Sequence, residues 1–164
     1  MLRMLLWALL AAAPAFSQMQ LWIEPRIARG EPEWVRLLES EAEVRASMGQ
    51  PAMAADFGKY RSWQYRIGGE VEHDDFSHVL VVRKADGKLI SLSRNYVPER
   101  NVDAFFPAGL TAVYAHQGFR VRVRRLSGGR VLIGSGGAGQ SCGQLVLMLE
   151  AEMREFYPWV PTLP

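Results

Sequence analysis

The sequence predicts an α+β protein: two short N-terminal helices packed on an antiparallel three-stranded sheet, followed by further antiparallel strands and a C-terminal helix. Three observations favour this class. Of 164 residues, 49% are hydrophobic and 22% charged, the composition of a soluble globular chain rather than a disordered or multi-span one. Helix start and stop signals lie within residues 40–51. Several later runs alternate polar and apolar side chains, as half-buried strands do.

Residues 1–17 have the pattern of a secretory signal peptide. Arg3 is a positive n-region, an apolar run from Leu5 to Ala13 follows, and small residues precede the expected cleavage point after Ser17. The run is shorter than the about 20 residues that cross a bilayer. We therefore expect an exported protein, periplasmic or secreted. No cysteine lies near the cleavage point, so we expect no lipid anchor; a buried N-terminal helix is the alternative.

The mature chain divides into three parts. We predict an extended arm over residues 18–30, an αα-βββ module over 31–96, and a C-terminal antiparallel β segment with a terminal helix over 97–164. Cys142 is the only cysteine, so burial alone must hold the fold together. Because the formal net charge is only +2, we expect no nucleic-acid partner.

Two helices are predicted in the module. The first opens at Glu31–Glu33, where Pro32 suits a first turn, and Trp34, Leu37 and Leu38 share one face. The second starts with a capping box, in which the side chains of Ser40 and Glu43 each accept a hydrogen bond from the other's backbone amide. It ends at Gly49, because Pro51 prevents its continuation.

Three strands follow the helices. Residues 60–67 alternate so that Trp63 and Tyr65 share one buried face while Gln64 points to the other. Residues 78–83 and 89–93 form a hairpin around the turn Asp86-Gly87.

Several motifs in this region occur in a fixed order. They are an arm Pro25-x-Ile27-x-x-Gly30, a helix Ser40-x-x-Glu43-Val44 ending in Met48-Gly49-Gln50-Pro51, a turn Phe57-Gly58, a strand with Trp63 and Tyr65, and the hairpin from Val79 to Leu92. Residues 25–94 thereby resemble the BamE/SmpA family of small outer-membrane assembly proteins. The resemblance implies an αα-βββ sandwich, also found in β-lactamase inhibitor proteins, which bind other proteins and catalyse nothing. Unlike the family's lipoproteins, this chain has no lipidation cysteine.

The second half is predicted to be antiparallel strands packed against or extending the first sheet. Strand patterns cover residues 110–116, 119–124, 130–133 and 145–149, and a short helical pattern with Met153 and Phe156 ends before Pro158. Residues 134–139 (GSGGAG) are expected to be a flexible interstrand loop, because no helix follows them as a phosphate-binding loop requires.

The candidate binding residues are Arg120, Arg122, Arg124 and Arg130. Strict alternation sends the first three to one face of a strand, and Arg130 lies on the next strand. Guanidinium groups bind carboxylates and phosphates in forked geometry. A solvated sheet face is the alternative interpretation.

Two other groups could carry chemistry. Cys142 with His116 as a distant base would suit a small secreted hydrolase, and a metal at His73 and His78 is a second possibility. A free, reducible surface thiol at Cys142 and an ordinary turn sequence around His73 and His78 are the alternative interpretations. We therefore expect a non-catalytic binding module of the bacterial envelope, without a cofactor, that supports outer-membrane protein assembly or envelope integrity. Its expected partner is an envelope protein or an anionic lipid surface.

Overall fold

The computed structural model describes residues 36–66, 75–101, 105–136 and 141–161. Within these residues the chain forms one open, antiparallel sheet of eight strands, accompanied by two short α-helices. The predicted sandwich of two helices on a three-stranded sheet is therefore wrong. The C-terminal strands do not form a separate unit; they pair edge to edge with the N-terminal ones and extend a single sheet.

The elements in chain order are α1 Glu41–Met48, β1 Met53–Phe57, β2 Tyr60–Arg66, β3 Asp75–Arg83, β4 Lys88–Asn101, β5 Ala112–His116, β6 Phe119–Leu126, β7 Arg130–Gly136, β8 Ser141–Leu149 and α2 Met153–Phe156. Short 3-10 turns at Ala108–Leu110 and Glu150–Glu152 precede β5 and α2. The order across the sheet is β1-β2-β3-β4-β8-β7-β6-β5. Each half is thus a four-stranded meander, and the pairing of β4 with β8 joins the two halves.

One side of the sheet, here called the first face, carries the larger core. Its central row runs across five strands and consists of Trp63, Leu80, Leu92, Leu147 and Leu132. All five are buried, and Val44 of α1 packs among them. Trp63 is fully buried and Tyr65 lies beside it, which confirms the predicted face of β2.

The opposite side, here called the second face, is covered by residues 150–161, the C-terminal segment. Its core under that segment consists of Val121, Val123, Val131, Ile133, Val146 and Met148, packed against Met153 and Val160. Apolar side chains from both faces of β7 and β8 are therefore removed from water. This explains why β8 is a nearly continuous apolar run.

The predicted capping box is confirmed at the start of α1. The Ser40 amide donates to Glu43 Oε2 at 2.6 Å, and the Glu43 amide donates to Ser40 Oγ at 3.3 Å. The helix ends at Gly49, whose φ of 72° favours glycine. The first predicted helix does not extend through residues 36–39: Leu38 has φ 72°, and its amide donates to the Leu89 carbonyl at 2.7 Å. Pairing with the start of β4 thus replaces helix there.

Two elements of the sheet differ from the sequence expectation. Strand β1 was not predicted, because all five of its residues are exposed and its sequence lacks alternation. The glycine segment is only partly a loop, since β7 continues through Gly136. Gly134 lies under the Phe106 ring, where an added Cβ would sit 2.8 Å from Phe106 Cε2. A glycine that looks like loop in the sequence thus permits close packing within a strand.

The predicted signal peptide (1–17), the arm (18–30) and the opening of the first helix lie outside the described residues. Among the helices that the structure describes, none is long and apolar enough to cross a membrane.

Candidate anion-binding face

Three of the four predicted binding arginines lie side by side on the first face. Arg120, Arg122 and Arg124 alternate along β6 with Val121 and Val123, which are buried on the second face. Their cross-strand neighbours on this face are small or medium-sized: Gly136, Gly134 and Leu132 on β7, and Ala115 and Val113 on β5. Arg120 is exposed, and Arg122 and Arg124 are half-buried. The face therefore offers guanidinium groups at the spacing of alternate strand residues, about 7 Å.

Two of these arginines also hold the backbone. Arg124 Nη1 donates to the Phe105 carbonyl at 3.0 Å, which ties β6 to the chain segment that crosses Gly134. Arg130 Nε donates to the Ser127 carbonyl at 2.9 Å and so fixes the turn between β6 and β7. The structure thus places Arg130 in a turn-stabilising contact rather than in the row of three.

Charge is segregated between the two halves of the sheet. Residues 104–149 contain five arginines and neither Asp nor Glu. Arg125, which points away from the row of three, pairs with Glu150 at 2.6 Å. In the N-terminal half, by contrast, cations and carboxylates neutralise each other, as in the pairs Arg61–Asp56 and Arg83–Asp86. The β5–β8 half therefore carries an excess of positively charged side chains, and such an excess attracts anions.

The edge strand β5 borders this arginine row. Gln117 and Gly118 both have positive φ, 49° and 82°, so they form a two-residue turn of the type that closes tight hairpins. His116 and Phe119 flank the turn as a hydrogen-bonded pair. By alternation, the backbone N–H and C=O groups of Val113 and Ala115 point away from β6, toward the open edge.

The other side of this edge is aromatic. On the second face, Tyr114 is half-buried, and the His116 ring stacks on Trp159 of the C-terminal segment with centroids 5.3 Å apart and planes 18° apart. The edge of β5 thus has a cationic side and an aromatic side. Sequence reasoning missed this arrangement, because residue 159 reaches β5 only through the path of the C-terminal segment.

Cys142 and His116 are not brought together. Cys142 is buried in the core of the first face, so the expectation of a surface thiol is wrong. His116 is exposed on β5 and packs on the second face. Strands β7 and β6 lie between β8 and β5, which separates the two backbones by about 14 Å. A thiol attacking with the help of this imidazole would need them in hydrogen-bonding reach.

His78 is a core residue. Its side chain is 1% exposed, and Arg94 Nε donates to His78 Nε2 at 3.0 Å. Burial, followed by the charge of Arg94, lowers the pKa of His78 from 6.5 to about 3. His73 lies outside the described residues. Within residues 36–66, 75–101, 105–136 and 141–161, no three His, Cys, Asp or Glu side chains are grouped so as to hold a metal ion.

A buried carboxylate that the sequence did not single out ties the two halves together. Glu152 is 7% exposed, accepts a hydrogen bond from the Tyr60 hydroxyl at 2.6 Å and pairs with Arg83 at 2.5 Å. Burial, and then this bond to Glu152, raises the pKa of Tyr60. Nearby, Lys59 pairs with Glu155 at 2.9 Å. These contacts attach the C-terminal segment to the N-terminal hairpins.

A row of neutral polar side chains crosses the middle of the second face. Asn95 Nδ2 donates to Ser77 Oγ at 3.2 Å, Gln144 Nε2 donates to Asn95 Oδ1 at 2.9 Å, and Ser135 Oγ donates to Gln144 Oε1 at 3.4 Å. The row links β3, β4, β8 and β7 in register. Because it spans the junction of the two halves, its role is to fix the register of that junction.

Comparisons with protein-family models, with curated proteins and with solved structures found no match to this chain.

Proposed function

We propose that this protein is an exported, non-catalytic binding module of the bacterial envelope, whose β6 arginines dock an acidic surface of another envelope protein. Through this contact it supports outer-membrane protein assembly or envelope integrity. The observation that carries the proposal is the segregation of charge: five arginines and no carboxylate within residues 104–149. Three of these arginines share one sheet face.

The geometry of the row suits carboxylates. Each guanidinium presents a rigid fork of donors that matches a carboxylate in bidentate geometry. Gly136 and Ala115 flank Arg120, and neither has a side chain large enough to cover it.

Binding to polyglutamate tests the proposal. The parent protein should bind the polymer at low salt, and affinity should fall steeply toward physiological salt, because exposed charges are screened within about 8–10 Å there. The variant R120Q/R122Q/R124Q should lose this binding. The variant R36Q/K88Q/R154Q removes the same charge elsewhere and should retain it.

The outcome that would overturn the proposal is equal binding by the parent and R120Q/R122Q/R124Q. Vesicles rich in phosphatidylglycerol serve as a second probe. If the arginines are needed for binding to these vesicles and polyglutamate is not bound, the partner is an anionic lipid surface rather than an acidic protein.

Export is tested separately. We expect the full-length chain, expressed with a C-terminal tag, to be processed after Ser17 and recovered outside the cytoplasm. An unprocessed chain in the cytoplasmic fraction would contradict this part of the proposal.

A further inference from the structure

The outer side of β5 is an open strand edge among the described residues. The strand lies at one end of the sheet order, and Val113, Ala115 and His116 are exposed. Val113 is 56% exposed, which is high for a large apolar side chain in a strand. An extended segment of another chain could pair with the outward N–H and C=O groups of Val113 and Ala115 and become a ninth strand.

The two sides of this edge set the chemistry of such a segment. Side chains of an added strand alternate between the two faces. On the first face they would lie beside Val113 and Ala115, within reach of the long side chains of Arg120 and Arg122. On the second face they would lie beside Tyr114 and the stacked rings of His116 and Trp159. Carboxylates suit the first side and apolar side chains the second.

The opposite edge has a different character. On β1, Asp56 is already paired with Arg61 at 2.7 Å and with Lys84 at 3.6 Å. An acidic strand added there would place its carboxylates near Asp56, which is unfavourable. The charge distribution therefore selects the β5 edge.

We propose that β5 captures an extended segment of its partner by strand addition, and that this segment alternates acidic and apolar residues. This inference rests on the proposed function, because the acidic side chains are those that the β6 arginines bind. It adds the backbone edge and the period-2 pattern as the specificity determinants.

Two peptides of about twelve residues with identical composition test the inference. One alternates Glu with Val, and the other repeats Glu-Glu-Val-Val. We expect the parent protein to bind the alternating peptide about tenfold more tightly, because only this peptide directs all its carboxylates to one face. The preference should be measured by fluorescence anisotropy at low salt.

Proline substitutions separate strand addition from charge attraction. Ala115→Pro removes an outward N–H group and leaves the β5–β6 hydrogen bonds in place, as proline is tolerated on strand edges. This variant should lose the preference for the alternating peptide while still binding polyglutamate. A circular dichroism spectrum equal to that of the parent protein would show that it is folded. The matched change at the other edge, Ala54→Pro, should preserve the preference.

Equal affinity of the parent for the two peptides would overturn strand addition, as would an unchanged preference in Ala115→Pro. Neither result contradicts the proposed function if polyglutamate binding still depends on Arg120, Arg122 and Arg124. Loss of that dependence overturns the proposed function instead, so the two failures are distinguishable.

Discussion

Protonation of His78 should make the protein less stable in mild acid. The imidazole is buried in the sheet between Tyr65 and Arg94, and its Nε2 lone pair accepts a hydrogen bond from Arg94. A proton added at this nitrogen would break that bond and place two positive charges side by side. The folded state therefore keeps His78 neutral until its pKa of about 3, whereas the unfolded chain takes up the proton near 6.5.

The magnitude follows from the two pKa values. Between them the unfolded state binds one proton more than the folded state, so the free energy of unfolding falls as pH falls, by about 1.4 kcal/mol per pH unit. The contribution of the neutral His78 side chain to the free energy of unfolding is therefore fully present above about pH 6.5. From about pH 7.5 to about pH 5, where most carboxylates are still ionised, His78 alone should cost about 2 kcal/mol.

Urea unfolding followed by tryptophan fluorescence measures this effect, since Trp63 is buried in the same face. In the variant His78→Gln, the side-chain amide oxygen can accept the hydrogen bond from Arg94, and the side chain at this position no longer takes up a proton. This variant should lose about 2 kcal/mol less than the parent over the same pH interval. Identical pH dependence in the two proteins would refute the reasoning.

Further substitutions test the fold at three places, each by its shift of the urea midpoint. Ser40→Ala should destabilise by about 1 kcal/mol by removing the cap of α1, and an unchanged midpoint would mean that the cap contributes nothing. Gly134→Ala should lower the free energy of unfolding by about 1–3 kcal/mol, because the added Cβ clashes with Phe106. Adding Phe106→Leu to this variant should recover part of the loss. If the effects of the two substitutions simply add, the two residues are not in contact. Glu152→Ala should lower the free energy of unfolding by about 2–4 kcal/mol, and Tyr60→Phe should lower it by about 1 kcal/mol. A larger loss in Tyr60→Phe than in Glu152→Ala would show that the ion pair of Glu152 with Arg83 contributes little.

Local signals in the sequence predicted local structure well. The capping box at Ser40, the stop at Gly49 and the alternation around Trp63 each involve residues within a few positions of each other, and the structure confirms all three. The first predicted helix shows where such signals are overridden. Residues 36–39 have a helical pattern, but backbone pairing of Leu38 with Leu89 takes its place.

The arrangement of the strands depended on contacts that sequence patterns do not contain. Pairing of β4 with β8 joins residues such as Leu92 and Leu147, and an alternating strand can pair with many partners. The candidate site likewise combines a feature that local alternation predicts with one that depends on contacts between distant residues. Alternation predicted that Arg120, Arg122 and Arg124 share a face, but the aromatic side of the edge, where Trp159 meets His116, depends on the path of the C-terminal segment.

The junction of β4 with β8 has a kinetic consequence. Within each meander, every strand pairs with its neighbour in sequence, so these contacts close short loops quickly. The junction connects positions as distant as Ser91 and Met148, and Glu152 must then reach Tyr60. We expect the two meanders to form early and the junction to close after the rate-limiting step. Substitutions along the junction should then accelerate unfolding and leave the folding rate nearly unchanged.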